Sequence, residues 1–175
     1  LSLGSFYNTS EGVCGDYYDV LPSRVDRISF ILADVAGKGM TSLVIMVMIR
    51  AIMRLIVNTT QSASTILSWV NRGIALESNI DHFASLALVN YDSTAKKIQY
   101  ATAGSTPILY YNSKTDEITQ ISKVTEPIGV EKNTTYTDNE LEVNSGDIIV
   151  MYSDGVAESV NIAGRQYSKN RLIQI

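Results

Sequence analysis

A run of apolar side chains over residues 43–57, broken only by Arg50 and Arg54, restricts this chain more than any other feature. It falls about five residues short of the ~20 needed to cross a bilayer and carries two charges inside it, so direct membrane insertion is rejected. Its Met and Ile side chains continue around most of the helical circumference, while the two arginines lie at i and i+4 on one stripe. That pattern predicts a helix covered on several sides, packed on a sheet and touching a neighbour. A second helix is expected over 62–77, where Ile66, Trp69, Val70 and Ile74 follow helical spacing and Ser62 or Ser64 can cap the start.

The remaining patterning is that of strands and turns. Short β-rich runs fall at 30–32, 83–91, 97–101, 108–111 and 148–152. Asp92-Ser93-Thr94 and the stretch 112–116 carry hairpin-turn chemistry, so consecutive strands should pair antiparallel. Strands, then two helices, then a meander point to an α+β fold rather than to parallel βαβ alternation. At 175 residues the chain is one domain, and 45% hydrophobic content excludes a disordered tail. A net charge of −4, with no basic cluster beyond Lys96 and Lys97, gives no electrostatic footprint for nucleic acid. The lone Cys14 forms no internal disulfide, so a cytoplasmic setting is the default expectation. With Leu1 in place of an initiator Met and no charged segment ahead of an apolar stretch, the expectation is a domain of a longer chain, without a signal peptide.

Two segments share a design that composition does not require. Ile-Ser-Phe-Ile-Leu-Ala-Asp at 28–34 and Ile-Ile-Val-Met-Tyr-Ser-Asp at 148–154 each end an apolar strand on an aspartate, followed by a glycine-containing turn. An acid at the mouth of a buried strand is rigidly held yet solvent-accessible, as a hard metal cation or a general acid/base requires. Helix capping is the alternative role for one such residue; two together favour chemistry. A third acidic site lies in Gly-Asp-Tyr-Tyr-Asp at 15–19, where extended geometry puts Asp16 and Asp19 on opposite faces. Asp16 is taken as the inward member.

Together with Ala-Asp-Val-Ala-Gly-Lys-Gly at 33–39, Ala-Thr-Ala-Gly at 101–104, Glu-Pro-Ile-Gly at 126–129 and Ser-Gly-Asp…Tyr-Ser-Asp-Gly-Val-Ala-Glu at 145–158, this pattern resembles the SpoIIE/RsbU branch of the metal-dependent (type 2C, PPM) protein serine/threonine phosphatases. The motifs occur in order through almost the whole chain, to Tyr-Ser-Lys-Asn-Arg-Leu at 167–172. The resemblance implies an antiparallel β-sandwich flanked by helices in α-β-β-α layers, with two Mn²⁺ or Mg²⁺ ions at one edge. It gives Asp34 as the residue bridging both metals, Asp154 as a further ligand, Asp16 on the second metal, and the Val35 carbonyl in place of a glycine carbonyl. Asp19, Gly37, Gly39 and Gly155 fall in supporting places. Such cations prefer oxygen ligands and can activate a water for in-line attack on phosphoserine or phosphothreonine, which needs neither histidine nor thiol.

By the same resemblance the substrate is a small phosphorylated regulator of the anti-sigma-factor-antagonist type. The domain, 1–175, then follows an upstream sensory or dimerisation module and can form a homodimer; from connectivity, the helix pair at about 40–78 is the expected surface through which that module acts, because moving the first helix moves the turn carrying Asp34. The family's further acidic motif of the Asp-Asp-x-Thr type is missing from the chain, so a weakly held second metal is expected, and a catalytically silent binding module is the alternative. Gly37-Lys38-Gly39-Met40-Thr41 lacks the upstream glycine of a phosphate-binding loop, position 32 being Leu. His82 is read as structural, Lys38 as a solvated turn residue, Arg50 and Arg54 as snorkelling or paired with acids, and Asp92, Asp116 and Asp147 as turn-formers.

Overall fold

The computed structural model describes residues 1–8, 14–24, 26–75 and 82–174. The chain runs β1 (Tyr17–Arg24), β2 (Arg27–Val35), α1 (Met40–Ile56), α2 (Ala63–Ala75), β3 (Ala84–Asp92), β4 (Lys97–Ala103), β5 (Ile108–Asn112), β6 (Glu117–Gln120), β7 (Asn139–Glu142), β8 (Ile148–Met151), α3 (Asp154–Glu158) and α4 (Lys169–Ile173). A five-stranded sheet has the order β1-β2-β3-β4-β7 and a three-stranded sheet the order β6-β5-β8. Every pairing is antiparallel, as the turn chemistry leads one to expect.

Alternation along the central strands makes two cores. Ile31, Ala33 and Val35 of β2, Leu86 and Leu88 of β3, and Ala101 and Ala103 of β4 face the helices, where they meet Ile45, Ile49, Met53, Ile66, Leu67 and Val70. Alanines at 33, 84, 101 and 103 keep that sheet face shallow, so both helices seat closely on it. The opposite face presents Ala87, Val89, Ile98 and Tyr100 to Ile108, Ile149 and Met151 of the three-stranded sheet, with Phe30 packed against them. Sheet on sheet with helices outside is the α+β sandwich that the resemblance implies, but of the α-β-β-α layers the two long helices both cover the larger sheet, and among the described residues the other helices are only the five-residue α3 and α4.

Several local expectations are corrected. Helix α1 is buried along one stripe only, Ser42, Ile45, Ile49 and Met53, whereas Met40, Val44, Val47 and Leu55 face outward. Continuous apolar patterning overstates coverage because it does not say how many neighbours exist. Trp69 is likewise exposed on α2, and Leu67 takes the inward position. The expected end of that helix at Glu77 lies outside the described residues. Ser62 caps the start, its Oγ accepting from Thr65 N at 3.4 Å, and Asp138 adds a remote cap by accepting from Ser64 N at 2.8 Å and Ser64 Oγ at 2.7 Å. Among the described residues no helix is long and apolar enough to cross a membrane.

Short strands β6 and β7 carry too few apolar residues to read as strands alone. They form by pairing with stronger neighbours. Asp147 accepts from Tyr110 Oη, Ser113 N, Ser113 Oγ and Asn144 N at 2.8–2.9 Å, which joins β5 to the turn before β8. Backbone donors from Asn144 and Ser113 above all hold its carboxyl far below the usual range.

Candidate functional site

Asp34 owes its placement to strand parity. Odd-numbered residues of β2 face the helices and Phe30 faces the other sheet, so Asp34, the last even position, stands at the rim of the inter-sheet face. Strand β8 of the other sheet ends at Met151, whose side chain packs into that same core, and the chain passes through Tyr152 and Ser153 into α3 with Asp154 as its first residue. Asp154 lies close enough to Asp34 for its charge to act on the Asp34 carboxyl. Asp16 arrives just ahead of β1, where its Oδ2 accepts from Ser153 Oγ at 2.7 Å.

Three carboxylates from distant parts of the chain are therefore neighbours. Burial first, then the negative charges of Asp16 and Asp154, raise the Asp34 carboxyl to about 7. A proton on Asp34 relieves the repulsion among these acids, and a cation would relieve the same repulsion. Hard oxygen donors of this kind match Mg²⁺ or Mn²⁺. Among the described residues, however, no three His, Cys, Asp or Glu side chains converge as a ready ligand set. The three acids are a concentration of negative charge in which Asp16 Oδ2 is engaged by Ser153 Oγ.

Close backbone approach holds Asp16 in place. A Cβ on Gly15 would lie 2.9 Å from the Val35 carbonyl oxygen and 3.1 Å from Val35 Cβ, so only glycine lets the Asp16 segment lie against the end of β2. The Val35 side chain is buried on the helix side. Beyond it, Gly37 has φ +94°, and Gly39 has φ 90° and ψ −155° as the residue preceding α1, a combination almost closed to other residues. The His82 ring packs against Gly37. Gly155 differs from these: its φ is not positive and a Cβ there would meet nothing within 4 Å.

Asp19 goes elsewhere. Its carboxylate accepts from Tyr17 Oη at 2.9 Å, Val20 N at 3.0 Å and Arg54 Nε at 2.9 Å, and Arg54 Nη2 lies at 2.6 Å. Partial burial opposes the charge, but hydrogen bonds from Tyr17 and Arg54 and the Arg54 charge hold its carboxyl below the usual range. Asp19 thus braces α1 against β1, and it supports Asp16 only through the strand they share. Sequence reasoning left Ser153 and Gly15 without roles. Each stands inside or beside a quoted motif, and only its contact partner gives it meaning.

Residues 24–175 match the family described as Stage II sporulation protein E (SpoIIE). The chain belongs to the SpoIIE family. A relative of this SpoIIE domain, phosphoserine phosphatase RsbU of Bacillus subtilis, is 29% identical over 160 residues, which is 90% of this chain and 47% of the relative. The chain therefore spans less than half the length of that protein. Among solved structures, the RsbU and RsbW domains from Mycobacterium tuberculosis superpose with a TM-score of 0.78 at 23% identity, covering 95% of this chain and 47% of that one. The PP2C phosphatase domain of SpoIIE from Bacillus subtilis gives 0.72 at 19%, covering 84% and 43%. RsbX in complex with magnesium gives 0.68 at 14%, covering 84% and 69%. These likenesses establish the fold, a PP2C-like α+β sandwich.

Proposed function

We propose that residues 1–175 form a single catalytic domain that hydrolyses phosphoserine or phosphothreonine on a small regulatory protein of the anti-sigma-factor-antagonist type, in the cytoplasm. The observation that carries this reading is that Asp16 and Asp154 come within electrostatic reach of Asp34, which burial and those two charges raise to about 7. The family and the name of the relative RsbU support it. RsbX crystallised with magnesium supports divalent cations.

Asp16, Asp34, Asp154 and the Val35 carbonyl would hold two Mn²⁺ or Mg²⁺ ions. Bound there, the ions would supply an activated water and neutralise phosphoryl oxygens. This chain's own residues prepare the place. Ser153 orients the Asp16 carboxylate. Gly15 gives the segment its close seat on β2, and the positive-φ glycines turn the chain sharply from Asp34 into α1. The outward apolar side chains Val44, Val47 and Leu55 on α1 suit contact with an upstream sensory or dimerisation module, or with a second copy in a homodimer.

The deciding test is phosphate release from a phosphoserine peptide with Mn²⁺, set against EDTA and against Asp34→Asn. Loss in both controls, by two orders of magnitude or more on the scale of a principal electrostatic contribution, is the expected result. Full activity in either control overturns the metal-dependent reading. No turnover with Mn²⁺ at all favours the binding-module alternative.

A further inference from the structure

The inter-sheet face of the larger sheet ends in a row drawn from neighbouring strands. Asp34 lies near the end of β2, and Ser85 of β3 is its direct cross-strand partner, so the two side chains share a face with their Cβ atoms roughly 5 Å apart. Tyr17 pairs with Ala33, and the same register carries Asp16 to the place beside Asp34 on its other flank. Leu86 pairs with Ala103, which brings Gly104, the residue after β4, alongside Ser85. Asp16, Asp34, Ser85 and Gly104 therefore succeed one another across the sheet end: two acids, a hydroxyl and a residue without a side chain.

The missing side chain at 104 makes room for the hydroxyl. A Cβ there would lie 2.3 Å from Ser85 Oγ and 2.9 Å from Ser85 Cα and Cβ, and the φ of +71° lies in the left-handed region. Gly104 is pinned from two directions, its N donating to Glu126 O at 3.3 Å and its O accepting from Thr125 N at 3.0 Å. The next amide is thereby aimed, and Ser105 N donates to Ser85 Oγ at 3.2 Å. With that lone pair engaged, the Ser85 hydroxyl keeps a proton to give, and no acceptor takes it among the described residues. Ser85 also retains solvent exposure that Ala87 and Val89, further in on the same face, lack.

We propose that Ser85 binds the phosphoryl group, its Oγ–H donating to a non-bridging oxygen of a phosphomonoester seated over Asp34 while Ser105 N holds the hydroxyl in that orientation. The assignment rests on the reading of the acids as the seat of phosphoryl chemistry. Ionised carboxylates can only accept hydrogen bonds, so they offer phosphoryl oxygens nothing directly. Ser85 is the side-chain donor in the row, and a donor held in advance to a charged acceptor forms a stronger bond than one between neutral groups.

The test uses the ¹⁵N-labelled 175-residue chain saturated with Mg²⁺ and titrated with inorganic phosphate, read from amide shifts. Saturable movement of the Ser85, Gly104 and Ser105 amides is expected. Ser85→Ala should weaken phosphate binding about tenfold, the equivalent of one hydrogen bond to a charged acceptor, and leave Mg²⁺ affinity by calorimetry within about twofold of the parent. Ser85→Thr, which keeps the hydroxyl, should retain most of the binding. With a phosphoserine peptide and Mn²⁺, Ser85→Ala should lower kcat/KM by the same factor of about ten. No saturable shift with phosphate, parent-like phosphate binding by Ser85→Ala, or equal loss in Ser85→Thr overturns the proposal. A parallel fall in Mg²⁺ affinity also overturns it, because Ser85 would then act through Asp34 and not on the phosphoryl group. Phosphate binding that depends on Ser85 in a chain without phosphopeptide turnover keeps this proposal and ends the hydrolytic reading; turnover indifferent to Ser85→Ala keeps that reading and ends this proposal.

Discussion

Gly15→Ala is the sharpest probe of how the acidic cluster is held. The new methyl would sit 2.9 Å from the Val35 carbonyl oxygen, 3.1 Å from Val35 Cβ and 3.4 Å from Ser42 Cβ. Ordinary contact begins near 3.4 Å, so the first of these demands a shift of about 0.5 Å. The neighbour cannot give way easily, because the carbonyl belongs to the end of β2 and the Val35 side chain is buried. The Asp16 segment must move instead, which would lengthen the 2.7 Å bond from Ser153 Oγ to about 3.2 Å, the edge of a useful hydrogen bond. Overpacking of this kind costs about 1–3 kcal/mol. Urea denaturation should show it as a lower midpoint with unchanged slope. Since a displacement of ~1 Å can cost ~10²-fold in rate, half of that should lower Mn²⁺-dependent phosphopeptide hydrolysis about tenfold. Gly155→Ala is the matched control, with open space around the added methyl and helical backbone, and should leave stability unchanged or raise it by up to ~1 kcal/mol. Equal stability of Gly15→Ala and the parent chain, or equal damage from the two alanines, would refute the close-approach argument.

Two further outcomes are expected. The Asp34 carboxyl is raised from an ordinary 3.8 to about 7, so its contribution to stability is complete below pH 3.8 and lost as pH rises through 7; in metal-free buffer this part of the pH dependence should vanish in Asp34→Asn, and added Mn²⁺ should counter the loss at neutral pH. Ile45→Glu should unfold the chain, because it buries a charge against the sheet, whereas Leu55→Glu on the exposed face should shift stability by no more than ~0.5 kcal/mol. Thermal denaturation of both variants checks this; a parent-like Ile45→Glu would mean that α1 does not pack as described.

The amount legible in the sequence differed by residue for identifiable reasons. Asp34 and Asp154 were readable because each ends a strongly apolar strand, and local patterning carries that information. Asp16 and Asp19 share one short motif, and alternation alone separated their faces. It did not reveal that Arg54, on a helix far along the chain, draws Asp19 to the helix side. Ile45 and Val44 are both apolar neighbours on α1, yet one is fully buried and the other about half exposed. Nothing local distinguishes them, because burial depends on which face meets the sheet.

The strongly apolar strands, the two long helices, the hairpin turns and the acids at strand ends were set by the sequence itself, since periodicity, propensity and glycine placement act over a few residues. The tertiary structure alone decided that Asp16 meets Ser153, that Gly15 must lack a side chain to lie against Val35, and that the Ser105 amide meets the Ser85 hydroxyl. Those outcomes arise from the register between strands and the stacking of two sheets. They join residues separated by up to 137 positions, as for Asp16 and Ser153, and such contacts depend on the whole fold rather than on any stretch of it.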